Sequence, residues 1–275
     1  PVRLRLTNME VSSLSREGYK SRANKTVWIF TIVYFGITIA AFLCYWLAGM
    51  DSFDAINHAF SVVSTGGFST KDLSIATYNS AAINLITMFF MLIASIHFGL
   101  IFMVFATRSL KPLNNPVLKF YVLSIVISAL LVSLSLKFQG TCFTWGQSLM
   151  TGFFHVISAI STTGFAISDN NTWPLFACII TIIITIPCGM AGSTTGGIKA
   201  DRMLLIFKTI GQQVKNVVHP SSINRLHIGN HILDKDEIYP HIVFMCLYFI
   251  TIGASVALTI MSGMDVQNAV ATSIS

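Results

Sequence analysis

Charged side chains are scarce in this sequence of 275 residues, because Asp, Glu, Lys and Arg together make up only 10% of it. Soluble domains usually carry about 25% charged residues, so this chain has too little polar surface to cover a globule in water. Hydrophobic residues account for 53% of the sequence instead. The composition therefore predicts a protein of the lipid bilayer.

Several motifs of catalysis and metal binding are also missing. The five cysteines show neither CxxC nor zinc-ligand spacing, so we expect no disulfide framework and no zinc site. HExxH is absent, which leaves a metalloprotease without support. Gly192 and Gly197 imitate part of a P-loop, but Ile198 stands where that motif demands lysine, so we expect no organic cofactor in this chain. The net charge is +6, but the basic residues lie in segments between apolar runs, where membrane topology explains them. We therefore expect no nucleic-acid partner.

Long apolar runs are what the sequence has in place of these motifs. A spanning helix needs about 20 mostly apolar residues, and shorter runs are more often re-entrant. The spanning candidates are residues 27–50, 81–107, 117–136, 174–188 with a continuation beyond a glycine-rich break, and 241–261. The runs 53–64 and 147–161 are too short to cross. We therefore predict an all-α membrane protein built from helix, pore-loop, helix units with re-entrant half-helices.

Charge asymmetry predicts the orientation of these helices. The positive-inside rule places the basic segments in the cytoplasm, so the short runs and the acidic loops lie on the outer side. Two acidic residues there, Asp54 and Asp169, are either solvated loop charges or charges that concentrate cations at an outer mouth. The cytoplasmic set comprises segment 1–26 and two later clusters, Arg108, Lys111 and Lys119, then Arg202, Lys208, Lys215 and Arg225.

Each short run ends in a small-residue segment, and the two segments align at an offset of 97 residues. The aligned sequences are Ser64-Thr65-Gly66-Gly67-Phe68 and Ser161-Thr162-Thr163-Gly164-Phe165. The same offset pairs His58 with His155, which are either packing residues or proton-relay groups. A third copy begins at Gly263-Met264-Asp265, which repeats Gly49-Met50-Asp51, and on that register the sequence stops inside its third short helix. We therefore expect a fragment of a repeat protein.

The two aligned segments have the chemistry of a cation filter. Irregular backbone at membrane depth is tolerated only where it is buried in protein or lines a watery path, and exposed carbonyls at a helix carboxy terminus favour a cation. Residues 162–165, Thr-Thr-Gly-Phe, resemble the first four residues of the TVGYG loop of potassium channels. Residues 65–68, Thr-Gly-Gly-Phe, are a degenerate version of that loop. The alternative is a pair of ordinary outer-surface turns. The candidate potassium ligands are Thr65, Gly66, Gly67, Thr162, Thr163 and Gly164.

A second glycine-rich stretch interrupts the predicted span that begins at residue 174. Pro187 and four glycines break the helix there, and the order of segments places the break below the filter. We interpret it as a gate, with a small-residue packing site as the alternative. Ser193 lies outside any GxSxG frame, so an intramembrane protease is a weak competitor. The candidate gating residues are Gly189, Ala191, Gly192, Ser193, Thr194, Thr195, Gly196, Gly197 and Lys199; the last is either structural or regulatory.

Taken together, these motifs resemble the Trk/Ktr/HKT superfamily of potassium transporters, with the bacterial TrkH branch as the best fit. The segments that carry the resemblance are STGGFST, ISTTGFAISDNNTWPLF and AGSTTGGIK with the basic helix after it. The resemblance implies four repeats around one pore, in which Gly67 and Gly164 are filter glycines and Ser64 and Ser161 add carbonyls. It also implies a homodimer in the bacterial inner membrane and a cytoplasmic nucleotide-binding regulator of the TrkA type.

The resemblance divides the chain into five parts. Residues 1–26 are a cytoplasmic basic segment, 27–107 the second repeat, 108–218 the third repeat with its broken second helix, 219–239 a cytoplasmic linker and 240–275 the start of the fourth repeat. The expected function is potassium uptake through a carbonyl-lined filter. Within the family, a sodium-permeable member or an ion-coupled symporter remains an alternative, because the first and fourth filter loops are not in the sequence.

Overall fold

Helices account for most of the residues that the computed structural model describes, which are 23–140, 144–218, 226–228, 231–233 and 235–274. The longer connections between them are residues 64–80, 161–174 and 186–199. Strands β1 (Leu226–Ile228) and β2 (His231–Leu233) form a small antiparallel hairpin. The all-α membrane fold predicted from the sequence is confirmed. The helices are α1 (Ala23–Leu47), α2 (Ser52–Val63), α3 (Ala81–Ala94), α4 (Phe98–Thr107), α5 (Pro116–Phe138), α6 (Trp145–Ile160), α7 (Leu175–Thr185), α8 (Ala200–Val218), α9 (Lys235–Met261) and α10 (Val266–Ile274).

Three of the described helices are long and apolar enough to cross a bilayer. They cover Thr26–Leu47, Pro116–Phe138 and Ile238–Met261. Many large apolar side chains on these helices are exposed to the surroundings, among them Leu47 and Leu258. Such exposure is unfavourable in water and natural in lipid, as expected for helices of a membrane protein.

The predicted span 81–107 is not one straight helix. It forms α3 and α4, which meet at an angle of 97° across a break at Ser95, Ile96 and His97. No proline lies in the break, and the His97 ring caps α4 by accepting the Gly99 N–H at 2.8 Å. The local sequence does not indicate the bend, because distant contacts, described below, hold it in place.

Local side-chain caps fix where the short helices begin. The Asp51 carboxylate accepts the Phe53 N–H at 3.1 Å and starts α2. Thr144 and Gln147 form a capping box at the start of α6. Caps of this kind satisfy amide groups that a helix start leaves unpaired, typically adding about 1 kcal/mol of stability. Both re-entrant helices therefore begin at positions set by their own sequence.

The internal repeat is visible in the backbone. Gly49, before α2, and Gly263, before α10, have φ angles of 97° and 93°. Ala55 and Ala269 then donate N–H bonds of 2.8 Å to the carbonyls of the residues four positions earlier. The two turns share one conformation, so α10 begins as α2 does and is the third copy of the short helix.

The two re-entrant helices are held by a common core. The α6 helix packs against α5 so closely that a Cβ at Gly152 would overlap the Ser133 hydroxyl. On the other side, Tyr45 of α1 is fully buried and donates a hydrogen bond of 3.0 Å to Thr87 of α3. The Tyr45 ring also lies edge to face against His58 of α2, at 6.3 Å between centroids. The core therefore contacts both re-entrant helices, whose carboxy-terminal ends lead into the two predicted filter segments, residues 64–68 and 161–165.

The predicted segment 1–26 lies almost entirely outside the described residues. The division of the chain into repeats and linker stays a prediction, as does the orientation of the helices.

We expect a cysteine placed at Lys71 to react with an impermeant thiol reagent added outside, and one at Lys111 or Lys215 not to react, because the latter two lie in cytoplasmic basic segments. All three side chains are exposed. Labelling in intact cells, with the native cysteines replaced, measures this. Outside labelling of all three would contradict the re-entrant topology.

Candidate functional site

The two filter segments leave their helices with the same backbone geometry. Thr65 and Thr162, one residue past each helix cap, have φ angles of 55° and 54°. The next amide turns back to the helix in both repeats: Gly66 N–H bonds to Ser61 O at 2.8 Å, and Thr163 N–H bonds to Ser158 O at 3.0 Å. A left-handed residue after a helix is a common helix ending, so the fixed offset of 97 residues is what marks the two segments as copies. The repeat therefore extends from sequence to hydrogen bonding.

The filter segments also contact each other. Gly67 has a φ of 68°, and a Cβ at this position would overlap the carbonyl oxygen of Thr163. Gly164, its counterpart, has a φ of 86° but open space around it. Gly67 is thus required for both its backbone angle and the close approach of the other segment, whereas Gly164 is required for its angle alone. Repeats that are distant in sequence meet at their predicted ligands.

Two histidines support the filter segments from behind. The His58 Nδ1–H donates to Asp54 O at 2.7 Å, so its Nε2 accepts the Ser69 hydroxyl at 2.9 Å. The His155 Nε2 accepts the Ile167 N–H at 3.4 Å, and Ser158 donates to Phe165 O at 2.7 Å. These bonds assign both histidines to packing and hydrogen bonding, which was one of the two interpretations of the sequence.

The Phe165 side chain joins the two repeats. It is 1% exposed, and its ring stacks on His58 at 5.9 Å between centroids. Its counterpart in the other repeat, Phe68, is 81% exposed. The described part of the chain thus buries one aromatic of the pair against the neighbouring repeat and leaves the other uncovered.

Asp54 is neither a solvated loop charge nor a free charge at an outer mouth. It is 7% exposed, and its carboxylate accepts Thr70 Oγ1 at 2.7 Å and Tyr78 OH at 2.9 Å, with Lys71 Nζ at 3.1 Å. The Thr70 hydrogen bond, helped by Tyr78 and Lys71, holds the pKa of this carboxyl well below its usual range. Asp54 therefore ties α2 to the loop that follows the filter, a role that its sequence position did not reveal.

The glycine-rich stretch interrupts the span between α7 and α8, as predicted. The two ends of this stretch lie against each other at Gly197 and Cys188. Gly197 has a φ of 68°, and a Cβ at this position would overlap the Cys188 sulfur. The Lys199 ammonium donates to the Thr195 carbonyl, which favours the structural interpretation of this lysine. The buried Asp201 accepts the Ala191 N–H at 2.6 Å and anchors the other side of the loop. Asp201 was missed, although an acidic residue in the first turn of a helix is a known amide acceptor.

The loop touches both filter segments. The Thr65 hydroxyl shares its hydrogen between Ser64 O at 2.7 Å and Thr194 O at 3.1 Å. Gly196 N–H donates to Thr162 Oγ1 at 2.9 Å. The two threonines are counterparts in the repeat, so one loop engages the same position of both segments. The structure thus brings the predicted filter and gating residues together.

A cavity of about 540 Å³ opens at this junction. Its lining includes Thr65 and Thr162 of the filter segments, Thr194 and Gly196 of the loop, and Thr251 of α9. Among the described residues no cluster of three or more His, Cys, Asp or Glu side chains could hold a metal ion. Hydroxyl and main-chain groups share the cavity wall with apolar side chains, among them Ile252 and Ile274.

Comparison with known proteins gives consistent matches. The family model TrkH, described as a cation transport protein, matches residues 2–275. The chain is 34% identical over 245 residues to the Trk system potassium uptake protein TrkH of Escherichia coli (strain K12), covering 88% of this chain and 50% of that protein. It is 36% identical over 206 residues to TrkH of Halomonas elongata, covering 74% of this chain and 42% of that one. The chain thus spans about half the length of the curated relatives it matches.

A solved structure matches over nearly the whole chain. The crystal structure of the potassium transporter TrkH from Vibrio parahaemolyticus superposes with a TM-score of 0.87 at 30% identity, covering 98% of this chain and 58% of that one. The fold and the order of its elements are therefore shared with a solved membrane transporter.

Proposed function

We propose, since the chain belongs to the TrkH family of cation transport proteins, that it forms part of a bacterial potassium uptake transporter. Potassium ions pass a filter lined by main-chain carbonyls, and the glycine-rich loop from Gly189 to Lys199 gates the path below it. The chain performs no chemistry, and potassium is its cargo. The observation that carries the proposal is the contact of Gly67 with the Thr163 carbonyl, which brings two filter segments side by side.

Selectivity follows from dehydration. An ion that enters the filter gives up its hydration shell, and closely set carbonyl oxygens replace the lost water. The candidate ligands of Ser64–Gly67 and Ser161–Gly164 supply half of a fourfold ring, and the positive φ angles of Gly67 and Gly164 set the direction of their carbonyls. Dipoles at the carboxy termini of α2 and α6 add partial negative charge at the same place.

Gating follows from the position of the loop. It borders the cavity at the filter and is bonded to Thr65 and Thr162, so an ion leaving the filter meets it. Its glycines allow several backbone states at low cost. Displacement of the loop would free both threonine hydroxyls and open the path toward the cytoplasm.

The remaining repeats and partners belong to the same proposal. The exposed Phe68 and the buried Phe165 suggest that a further repeat covers Phe68 as the second repeat covers Phe165. From the resemblance of its motifs to the superfamily, we further propose a homodimer in the inner membrane with a cytoplasmic nucleotide-binding regulator of the TrkA type.

Purified full-length protein in proteoliposomes tests this function. We expect potassium or rubidium to move down its own gradient without a proton or sodium gradient, and faster than sodium does. Flux that requires a second ion gradient would favour a coupled symporter, and equal sodium flux a sodium-permeable member. Liposomes without protein are the control, and absence of any cation flux would contradict the proposal.

A further inference from the structure

The break between α3 and α4 lies directly against the gating loop. Ser95 O accepts the Met190 N–H at 2.9 Å, and Ala94 O accepts the Thr194 N–H at 3.3 Å. In the opposite direction, Phe98 N–H donates to Gly192 O at 3.0 Å. Three backbone hydrogen bonds thus join one short stretch of the second repeat to one short loop of the third.

These bonds use groups that the bend itself leaves unpaired. A helix end has carbonyls, and a helix start has amides, without partners inside the helix. In a continuous helix Ala94 O would accept from Phe98 N, but here each of the two is bonded to the loop instead. The loop therefore supplies hydrogen-bond partners for backbone groups that the break leaves unpaired. The same bonds fix the position of the loop against α3 and α4.

The His97 side chain fixes the position of the loop at this contact. It is 4% exposed, and a Cβ on Gly192 would lie only 2.7 Å from its Cδ2 and 2.8 Å from its Nε2. The Phe30 ring of α1 closes the other side, edge to face, at 5.8 Å between centroids. The His97 imidazole is thus packed between Phe30 of α1 and Gly192 of the loop, where any side chain in place of glycine would overlap the ring.

Free space lies beside this contact. A cavity of about 330 Å³ is lined by Phe30, Tyr34 and Phe98 on the helices and by Gly192, Ser193 and Thr194 on the loop. The loop is therefore bordered by the filter cavity on one side and by this side cavity on the other. The side cavity is free space into which the loop can shift.

We propose that the α3–α4 break is the seat of the gating loop and that His97 is a positioning residue that holds the loop under the filter. This inference rests on the proposed gating function. His97 acts on ion flow only through Gly192 and its neighbours, so its influence should vanish when the loop is absent.

The test uses His97→Asn in the full-length transporter. Asparagine is a good amino-terminal cap, so α4 keeps its cap while the ring on Gly192 is lost. We expect about a fivefold rise in rubidium flux into proteoliposomes without the regulator, because a lost contact shifts a two-state equilibrium by a factor of this order. Potassium preference over sodium should stay unchanged. In a background with residues 190–195 deleted, the same substitution should change nothing.

The outcomes are decisive in both directions. Unchanged flux in His97→Asn, or the same rise in the deletion background, would overturn the role of His97. If His97→Asn fails to fold, as judged by yield and Tm, Gly192→Ala tests the contact from the loop side, because its Cβ would lie 2.7 Å from the His97 ring. We expect the same rise in rubidium flux with unchanged potassium preference, and wild-type flux in this variant would overturn the role of His97. The proposed function fails separately: in that case the loop deletion itself leaves flux unchanged, whatever His97 does.

Discussion

Deletion of residues 190–195 from the full-length transporter will raise potassium flux about tenfold in the absence of the regulator, because a gated protein holds its minor state at no more than about 10% of the population. The deletion removes the segment bonded to Thr65 and to the α3–α4 break. It leaves Gly67 and Gly164 unchanged, so preference for potassium should be largely retained. Flux into proteoliposomes with and without the regulator measures both the rise and the loss of regulation.

Ser193→Ala is the matched control for this deletion. The Ser193 hydroxyl donates to Met190 O at 2.6 Å and pairs with Thr195 Oγ1 at 2.8 Å, both inside the loop. We expect a flux much closer to the wild-type level than to that of the deletion, because the bonds of the loop to Thr65 and to the α3–α4 break are kept. A protease would lose its activity with this hydroxyl, whereas a transporter would keep its flux. A deletion protein that folds normally yet conducts at the wild-type level in both conditions would make the loop a packing element.

The sequence predicted the elements of the fold because their signals are local. Length and apolarity marked the spans, and a short apolar run followed by small residues marked each re-entrant helix. The bend at His97 was missed for the opposite reason. Its cause is a set of hydrogen bonds to residues nearly one hundred positions away, and the local sequence has no proline to announce it.

The candidate site divides in the same way. Repetition revealed Gly67 and Gly164, because two segments under the same backbone constraint keep the same residue types. The roles of Asp54, His97 and Asp201 were not predicted, because none of the three belongs to the repeated segments or to a known motif. Each acts by burial against a partner elsewhere in the chain, and burial of a charged or polar group cannot be read from an isolated position.

Replacement of Gly164 by serine in the full-length protein will lower the preference for potassium over sodium about tenfold. The φ of 86° penalises any Cβ by about 1–2 kcal/mol, and relaxation of that strain turns the adjacent carbonyls away from the ion. The space around the residue is open, so the protein should still fold. Growth of a potassium-uptake-deficient host on low potassium, together with rubidium and sodium uptake, measures the effect.

Two other glycines separate backbone strain from filter geometry. Gly49 has a φ of 97° and open surroundings, so Gly49→Ser imposes a similar strain outside the filter and should leave ion preference unchanged. Gly67→Ser adds overlap with the Thr163 carbonyl to the same kind of strain, so it should impair selectivity and yield more than Gly164→Ser does. If Gly49→Ser altered selectivity as much as Gly164→Ser, the effect would be a general consequence of strain. Unchanged selectivity in Gly164→Ser would remove this glycine from the filter.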